Sequence, residues 1–340
     1  MSRAPDSAFA DVDEDRLRAL FDAEDYVAAD ELVTTVSLAL RLGKPLLVEG
    51  MPGSGKTELG KTLAAGFDTE LVRLQCYEGL TAESALYEWN YTKQLLAIQA
   101  GEAGVSGERD SDSDPPGDGS ARPDGRAQAT AGDGSESVFE ESYLLERPLL
   151  RALTADGERP PVLLIDEIDR ADEEFEALLL EVLSEFQVSV PELGTVGTDE
   201  PPAVIVTSNR TRALSDALKR RCLYLHVEPP SMEKERAIVR RKVPELDGAV
   251  AGQLCGAVAR LREEPLLKHP GVAETLDWAR AVATLRGDGA ADRALSDDEL
   301  RRTLGCLLKE AEDVDRVDDE LLEACLAAAR DAGDPLDAEG

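Results

Sequence analysis

Apolar positions fall along this chain in two rhythms. Three short runs are apolar without a break: Leu46-Leu47-Val48, Val162-Leu163-Leu164-Ile165 and Ala203-Val204-Ile205-Val206. Runs of that length, ended by polar residues, are the pattern of strands buried on both faces of a parallel sheet. Glu70 to Gln75 alternates like a further strand, and Cys222 to Val227 reads as the last one. Gln187 to Val196 holds two alternating runs around a Pro/Gly turn, which predicts a β-hairpin. Between these, three- and four-residue spacing predicts helices over 25–42, 56–66 and the segment carrying Phe175, Leu179 and Leu183, with a short one at 214–218. Residues 87–98 and 143–153 also read as helical, the second restarted by Pro148.

From Pro229 onward every periodic segment is helical: 232–241, 250–261, 272–285 and 297–329. The pattern therefore predicts an α/β core over 24–228 and an all-helical domain over 229–332. Three stretches lie outside it. Residues 1–23 are acidic, with only Leu17, Leu20 and Phe21 at helical spacing, and are expected to form a flexible leader; 333–340 is expected to be a flexible tail. Residues 101–137 are Gly, Asp, Ser, Pro and Ala with almost no larger apolar side chain, so burial cannot offset chain entropy. They are expected to be a disordered acidic insertion within the core.

Charge changes the picture of the surface. The chain has 340 residues, of which 37 are basic and 70 acidic, for a net charge of −33. At molar salt the screening length falls to ~3 Å and the self-repulsion of such a surface largely disappears. The acids are spread along the whole chain, which fits a saline, haloarchaeal-type cytoplasm better than one basic partner. An acidic surface also argues against a nucleic-acid partner, which needs a basic face. No apolar run approaches the ~18 residues of a membrane span, and Met1 to Asp13 is too polar for a signal peptide, so no membrane partner and a cytoplasmic location are expected. The five cysteines form no C-x-x-C pair and read as reduced packing residues, Cys222 beside His226 included.

The chemistry sits where the strand runs end. Gly50-Met51-Pro52-Gly53-Ser54-Gly55-Lys56-Thr57 fits G-x-x-x-x-G-K-[ST], between a strand and a helix. Its glycines let successive N–H groups face phosphate oxygens, Lys56 can reach the β- and γ-phosphates, and the Thr57 hydroxyl can ligate Mg²⁺. The second run ends in Asp166-Glu167, a Walker B pattern: Asp166 is placed to orient Mg²⁺ or its waters, and Glu167 to polarise the attacking water. The third ends in Asn209, whose amide can sense a γ-phosphate or position that water. Lys219-Arg220-Arg221 is a basic triplet in an acidic chain. Arg221, or alternatively Arg220, is a candidate arginine finger reaching a neighbouring subunit in trans; pairing with local carboxylates is the other reading. Tyr77, Tyr87, Trp89 and Tyr91 read either as core or as a loop facing a pore or client.

In order and spacing these motifs resemble an AAA+ ATPase, and within that superfamily the MoxR group and its CoxD-like branch. The finer likeness rests on Leu74-Gln75-Cys76-Tyr77-Glu78-Gly79-Leu80, Ala85 to Tyr91, Glu146-Arg147-Pro148-Leu149-Leu150 and Gly271 to Trp278. The resemblance implies a P-loop αβα sandwich with a five-stranded parallel sheet, a helical lid, ATP and Mg²⁺ as cofactors, and a ring, usually a hexamer. It further implies a remodelling or metal-insertion chaperone working beside a von Willebrand factor A domain protein. In CoxD-like members the client is a molybdenum hydroxylase of the carbon monoxide dehydrogenase type. The lid arginine that many relatives aim at the γ-phosphate is not evident: Glu274 stands in its place and Arg280 lies two turns later. An ATP-gated interaction module with slow hydrolysis and a DNA-acting motor are the competing functions.

Overall fold

The three uninterrupted apolar runs form the middle of one five-stranded sheet. In the computed structural model, which describes residues 7–89, 144–190, 194–287 and 293–333, all its strands are parallel. These are β1 (Leu46–Gly50), β2 (Leu71–Gln75), β5 (Val162–Asp166), β8 (Ala203–Ser208) and β9 (Leu223–Val227), in spatial order β2-β5-β8-β1-β9. Every residue of β1, β5 and β8 is buried, whereas the edge strands β2 and β9 alternate, so burial follows lateral position in the sheet.

Strand side chains alternate between two helical layers. Leu46, Val48, Leu164 and Ile205 face α1 (Glu14–Ala23), α2 (Asp30–Leu42) and α3 (Lys56–Gly66). Leu47, Leu163, Ile165 and Val206 face α4 (Ala82–Leu86), α5 (Pro148–Thr154) and α6 (Glu173–Glu185). The result is an α/β sandwich of three layers. The hairpin β6 (Gln187–Val190) and β7 (Gly194–Gly197) forms as its alternation predicts. A third apolar cluster, centred on Trp278, joins the C-terminal helices α8 (Met232–Lys242), α9 (Gly248–Leu261), α10 (Val272–Arg286), α11 (Asp297–Leu307), α12 (Ala311–Asp315) and α13 (Asp319–Gly333). Among the described residues no helix is long and apolar enough to cross a membrane.

The fold corrects the sequence reading in several places. Residues 7–23 are not a flexible leader: Phe9, Val12, Leu17, Leu20 and Phe21 are buried, and the Phe9 and Phe67 rings lie 5.0 Å apart. Sparse apolar positions in an acidic segment suffice here because each one meets α2 or α3. Leu144–Glu146 is a strand, β4, pairing antiparallel with β3 (Tyr87–Trp89), where helix was expected on both sides. The residue before a proline disfavours helix, so the chain stays extended through Arg147 and α5 starts at Pro148. The short helix α7 spans Asp216–Arg221, capped by the Ser215 hydroxyl, and includes the basic triplet. The long C-terminal helix is three, broken at 308–310 and 316–318; the short middle one carries the buried Asp313, whose carboxylate accepts the Leu267 and Lys268 N–H groups. Residues 101–137 and Tyr91 lie outside the described residues.

Candidate functional site

All the strand ends that carry polar residues open on one edge of the sheet. β1 turns at Gly50, where a Cβ would sit 2.3 Å from the Val227 carbonyl oxygen, so only glycine fits. Gly55, at φ +89°, lets the loop curl into α3, whose N-terminus then faces the loop interior. Lys56 is buried, its ammonium donating to the Gly50 carbonyl at 2.8 Å and the Met51 carbonyl at 2.7 Å. Burial pulls its pKa below the ordinary lysine value, and Asp166, Asp169 and Glu167 partly oppose that.

The acidic pair stands directly opposite. The Thr57 hydroxyl donates to Asp166 Oδ1 at 3.0 Å, and the Thr207 hydroxyl donates to the same oxygen at 2.6 Å. Arg73 Nη2 lies 2.6 Å from Asp166 Oδ2. Glu167 follows with φ +57° and ψ +50°, an uncommon conformation for a residue with a Cβ, costing on the order of 1–3 kcal/mol. Its N–H donates to Thr207 Oγ1 at 2.9 Å, while Asn209 Nδ2 donates to its Oε1 at 3.2 Å. Gln75 Nε2 and Arg170 Nη1 donate to Oε2 at 3.1 and 3.2 Å.

Asn209 is held in turn by Asp169. The Asp169 carboxylate accepts the Asn209 N–H at 3.0 Å, the Thr211 N–H at 2.8 Å and the Thr211 hydroxyl at 2.5 Å. Burial would raise its pKa, but the hydrogen bonds from Thr211 and Asn209 together outweigh that and hold it below the usual aspartate value.

A cavity of about 530 Å³ lies between this edge and the C-terminal helices. Gly53 to Thr57, Asp166, Glu167, Thr207 and Asn209 line one wall, and Asp25-Tyr26-Val27 close one end. On the opposite wall α8 presents Lys234, Ile238 and Lys242, and α10 presents Ala273, Leu276, Asp277 and Arg280, each set spaced along one helix face. Gly271, which starts α10, touches the loop: a Cβ on Gly53 would lie 3.3 Å from the Gly271 Cα. Glu274 does not turn to the cavity, for its carboxylate accepts the Gly271 N–H at 3.0 Å and caps its own helix.

Arg221 is not brought to this cavity. It is exposed, with Nε donating to Ser184 Oγ at 2.7 Å, and Arg220 beside it is exposed as well. Tyr77 is half exposed, at 52%.

Residues 46–228, more than half of the chain, match the sequence profile of the AAA family, ATPase family associated with various cellular activities. The chain belongs to that family. A curated, uncharacterized protein of Staphylococcus haemolyticus (strain JCSC1435) is 42% identical over 62 residues, 18% of this chain and 24% of that protein, so the likeness spans about a quarter of its length. Among solved structures, the Thermotoga maritima RuvB Holliday junction branch migration motor is 17% identical with a TM-score of 0.44, covering 86% of this chain and 73% of that one. A variant of the same motor gives 16% identity and a TM-score of 0.45 over 94% and 77%.

Within this AAA chain the sequence reading passed over Arg73, Gln75, Thr207 and Asp169. Three of them carried a usable signal. Arg73 and Gln75 are the exposed positions of an alternating strand, and Thr207 lies two residues before Asn209 at the end of a buried one. What the linear pattern lacked was the knowledge that β2 and β8 flank β5.

Proposed function

We propose that this protein is a Mg²⁺-dependent ATPase of the MoxR type, CoxD-like branch, which assembles as a ring, a hexamer in the usual form, and remodels a partner protein or assists metal-cofactor insertion into it. The observation that carries the ATPase reading is the meeting of Thr57 with Asp166 at 3.0 Å, beside Glu167 and Asn209, on one wall of one cavity. In this reading residues 24–228 are the nucleotide-binding core and 229–332 the lid.

The residues present fit the metal. Thr57 Oγ1 and Asp166 Oδ1 are two adjacent hard oxygens, and among the described residues no group of three His, Cys, Asp or Glu side chains forms a cage. That donor set suits a cation that keeps several waters and shares phosphate oxygens, as Mg²⁺ does. Bound there, it would neutralise charge on the β- and γ-phosphates.

The protein's own groups supply the rest. Backbone N–H groups of Gly53 to Thr57 cradle the phosphates, and Lys56 transfers its ammonium from the Gly50 and Met51 carbonyls to phosphate oxygens. Glu167 polarises the attacking water and Asn209 fixes the carboxylate that does so. Arg221, exposed and away from its own cavity, completes a neighbour's site in trans, which is why a ring is needed.

The client assignment rests on the MoxR and CoxD-like segments around Gln75, Trp89, Pro148 and Trp278, and includes a von Willebrand factor A domain partner and a metalloenzyme client. The test is capture by the Glu167→Gln protein in molar salt, with ATP or with ADP. A metalloenzyme subunit retained only with ATP supports the reading. Capture indifferent to nucleotide, or recovery of nucleic acid, overturns it. A slow, ATP-gated interaction module is the second reading, favoured by the hydrogen bonds that hold both Glu167 oxygens. It predicts retention of the partner without continual turnover.

A further inference from the structure

β2 lies beside β5 in the sheet, with Gln75 in register with Asp166 and Arg73 with Leu164. Arg73 and Gln75 are two apart, so they stand on the same face of the strand. From there the Arg73 guanidinium reaches forward to Asp166 Oδ2 at 2.6 Å, and the same nitrogen donates to Gln75 Oε1 at 2.6 Å. Gln75 passes the contact on, its amide donating to Glu167 Oε2 at 3.1 Å. One strand thus links the carboxylates of Asp166 and Glu167 through an arginine and a glutamine.

Both oxygens of Asp166 are therefore taken: Oδ1 by Thr57 and Thr207, Oδ2 by Arg73 at 2.6 Å and, more distantly, by Thr57 at 3.3 Å. The two partners of the ion pair differ sharply in environment. The Asp166 side chain is 4% exposed and the Arg73 side chain 47%. A buried carboxylate without a counter-cation is costly, whereas a half-exposed guanidinium on a flexible stem can turn into water at little cost.

We infer that Arg73 is a positioning residue that serves as the resting counter-cation of Asp166 and competes with the divalent cation for it. This rests on the ATPase reading above. Arg73 pairs with the buried carboxylate and holds it in place while the site is empty of nucleotide. A metal held by Thr57 Oγ1 and Asp166 Oδ1 would share the single carboxylate charge with Arg73 on Oδ2, so each cation weakens the hold of the other. Displacing Arg73 would also strip Gln75 of the contact that orients its amide, and so loosen one of the hydrogen bonds that hold Glu167. Water activation is thereby tied to metal loading.

The test is binding of a fluorescent ADP analogue to the full chain in molar salt, titrated with Mg²⁺ from a chelated start. ADP cannot turn over, so the readout is the Mg²⁺ concentration at half-maximal binding. Removing the competitor by Arg73→Met should lower that midpoint roughly two- to fivefold, the range of a partly exposed ion pair. Arg73→Lys, a weaker competitor, should lower it less, and Arg73→Gln is a second neutral variant should methionine impair solubility. Metal-free binding should not change. An unshifted or raised midpoint in the neutral variants overturns the proposal, and so does a loss of metal-free binding, which would make Arg73 a phosphate contact. Failure of the unsubstituted protein to bind nucleotide at any Mg²⁺ concentration would instead sink the ATPase reading itself.

Discussion

Thr57 and Asp166 stand 109 positions apart in the chain and within one hydrogen bond, 3.0 Å, in the fold. The sheet order explains the meeting. β1 and β5 are separated only by β8, and all three run parallel, so their carboxyl ends emerge on one edge. Ligands of open parallel α/β sheets bind at such an edge.

Lys56 shows what that edge expects to receive. Its buried ammonium is held by two carbonyls of its own loop and has no direct ion pair among the described residues. Lys56→Ala should therefore reduce nucleotide affinity by about a hundredfold or more, since charge-assisted bonds to phosphate are the strong kind. The apo protein should unfold at nearly the same temperature, because one long side chain and two loop carbonyls are all that change. Calorimetric titration with ADP, paired with thermal melts, measures both.

Glu167 is strained in backbone and held at both oxygens, a combination that marks a group placed for a task. Glu167→Gln preserves size and most hydrogen-bonding capacity but removes the base. ATP affinity should stay within a few-fold of the unsubstituted protein while turnover falls by about 10²–10⁴, the span of general-base catalysis. Equal losses in binding and turnover would show that the side chain only shapes the site.

Arg221 makes a prediction that single variants cannot. If it acts across a subunit boundary, Arg221→Ala and Lys56→Ala proteins should each be inactive alone. Mixed subunits should regain part of the activity, because some interfaces pair an intact loop with an intact arginine. The arginine is expected to be worth about 10³–10⁵ in rate, as trans-acting arginines are elsewhere. A mixture as inactive as its components removes the assignment, and the same experiment with Arg220→Ala decides between the neighbours.

The parts of this fold that could be read in advance are those where one physical cause dominates. β1, β5 and β8 are buried on both faces, so their composition alone marks them. That Lys56 and Asp166 come together at one edge follows from the buried strands that precede them, β1 and β5. Arg73 was passed over for a different reason: alternation identifies β2 as a strand and Arg73 as one of its exposed positions, but does not say that β5 lies beside it. The segment before α2 was misread because Phe9 and Leu20 gain their burial from Phe67 and Gly66, residues remote in sequence. Leu144-Leu145-Glu146 is too short for any period to be seen. Local pattern reports local causes, and the contacts that finish this site come from sheet order.

The helical domain offers a test that needs no nucleotide. Glu299 is buried and accepts from Arg286, itself 1% exposed, and from Arg293 and the Ser296 cap. Burial works to raise its pKa, but the Arg286, Ser296 and Arg293 hydrogen bonds prevail and draw it down to about 2 from 4.5. A pKa lowered by folding contributes stability above the unfolded value, and that contribution fades as pH falls from about 4.5 through about 2. Glu299→Gln leaves the Arg286 guanidinium buried without its counter-charge, so it should cost about 3 kcal/mol near neutral pH. Trp278, buried and donating to Thr303 Oγ1 at 2.6 Å, reports on this domain by fluorescence once Trp89 is replaced by Phe. Denaturant unfolding in molar salt should show the gap between the two proteins constant from neutrality to about pH 5, then narrowing steadily as the carboxylate of the unsubstituted protein is protonated. A gap that holds its full size down to about pH 3 would fit the loss of a packing contact rather than of a charge.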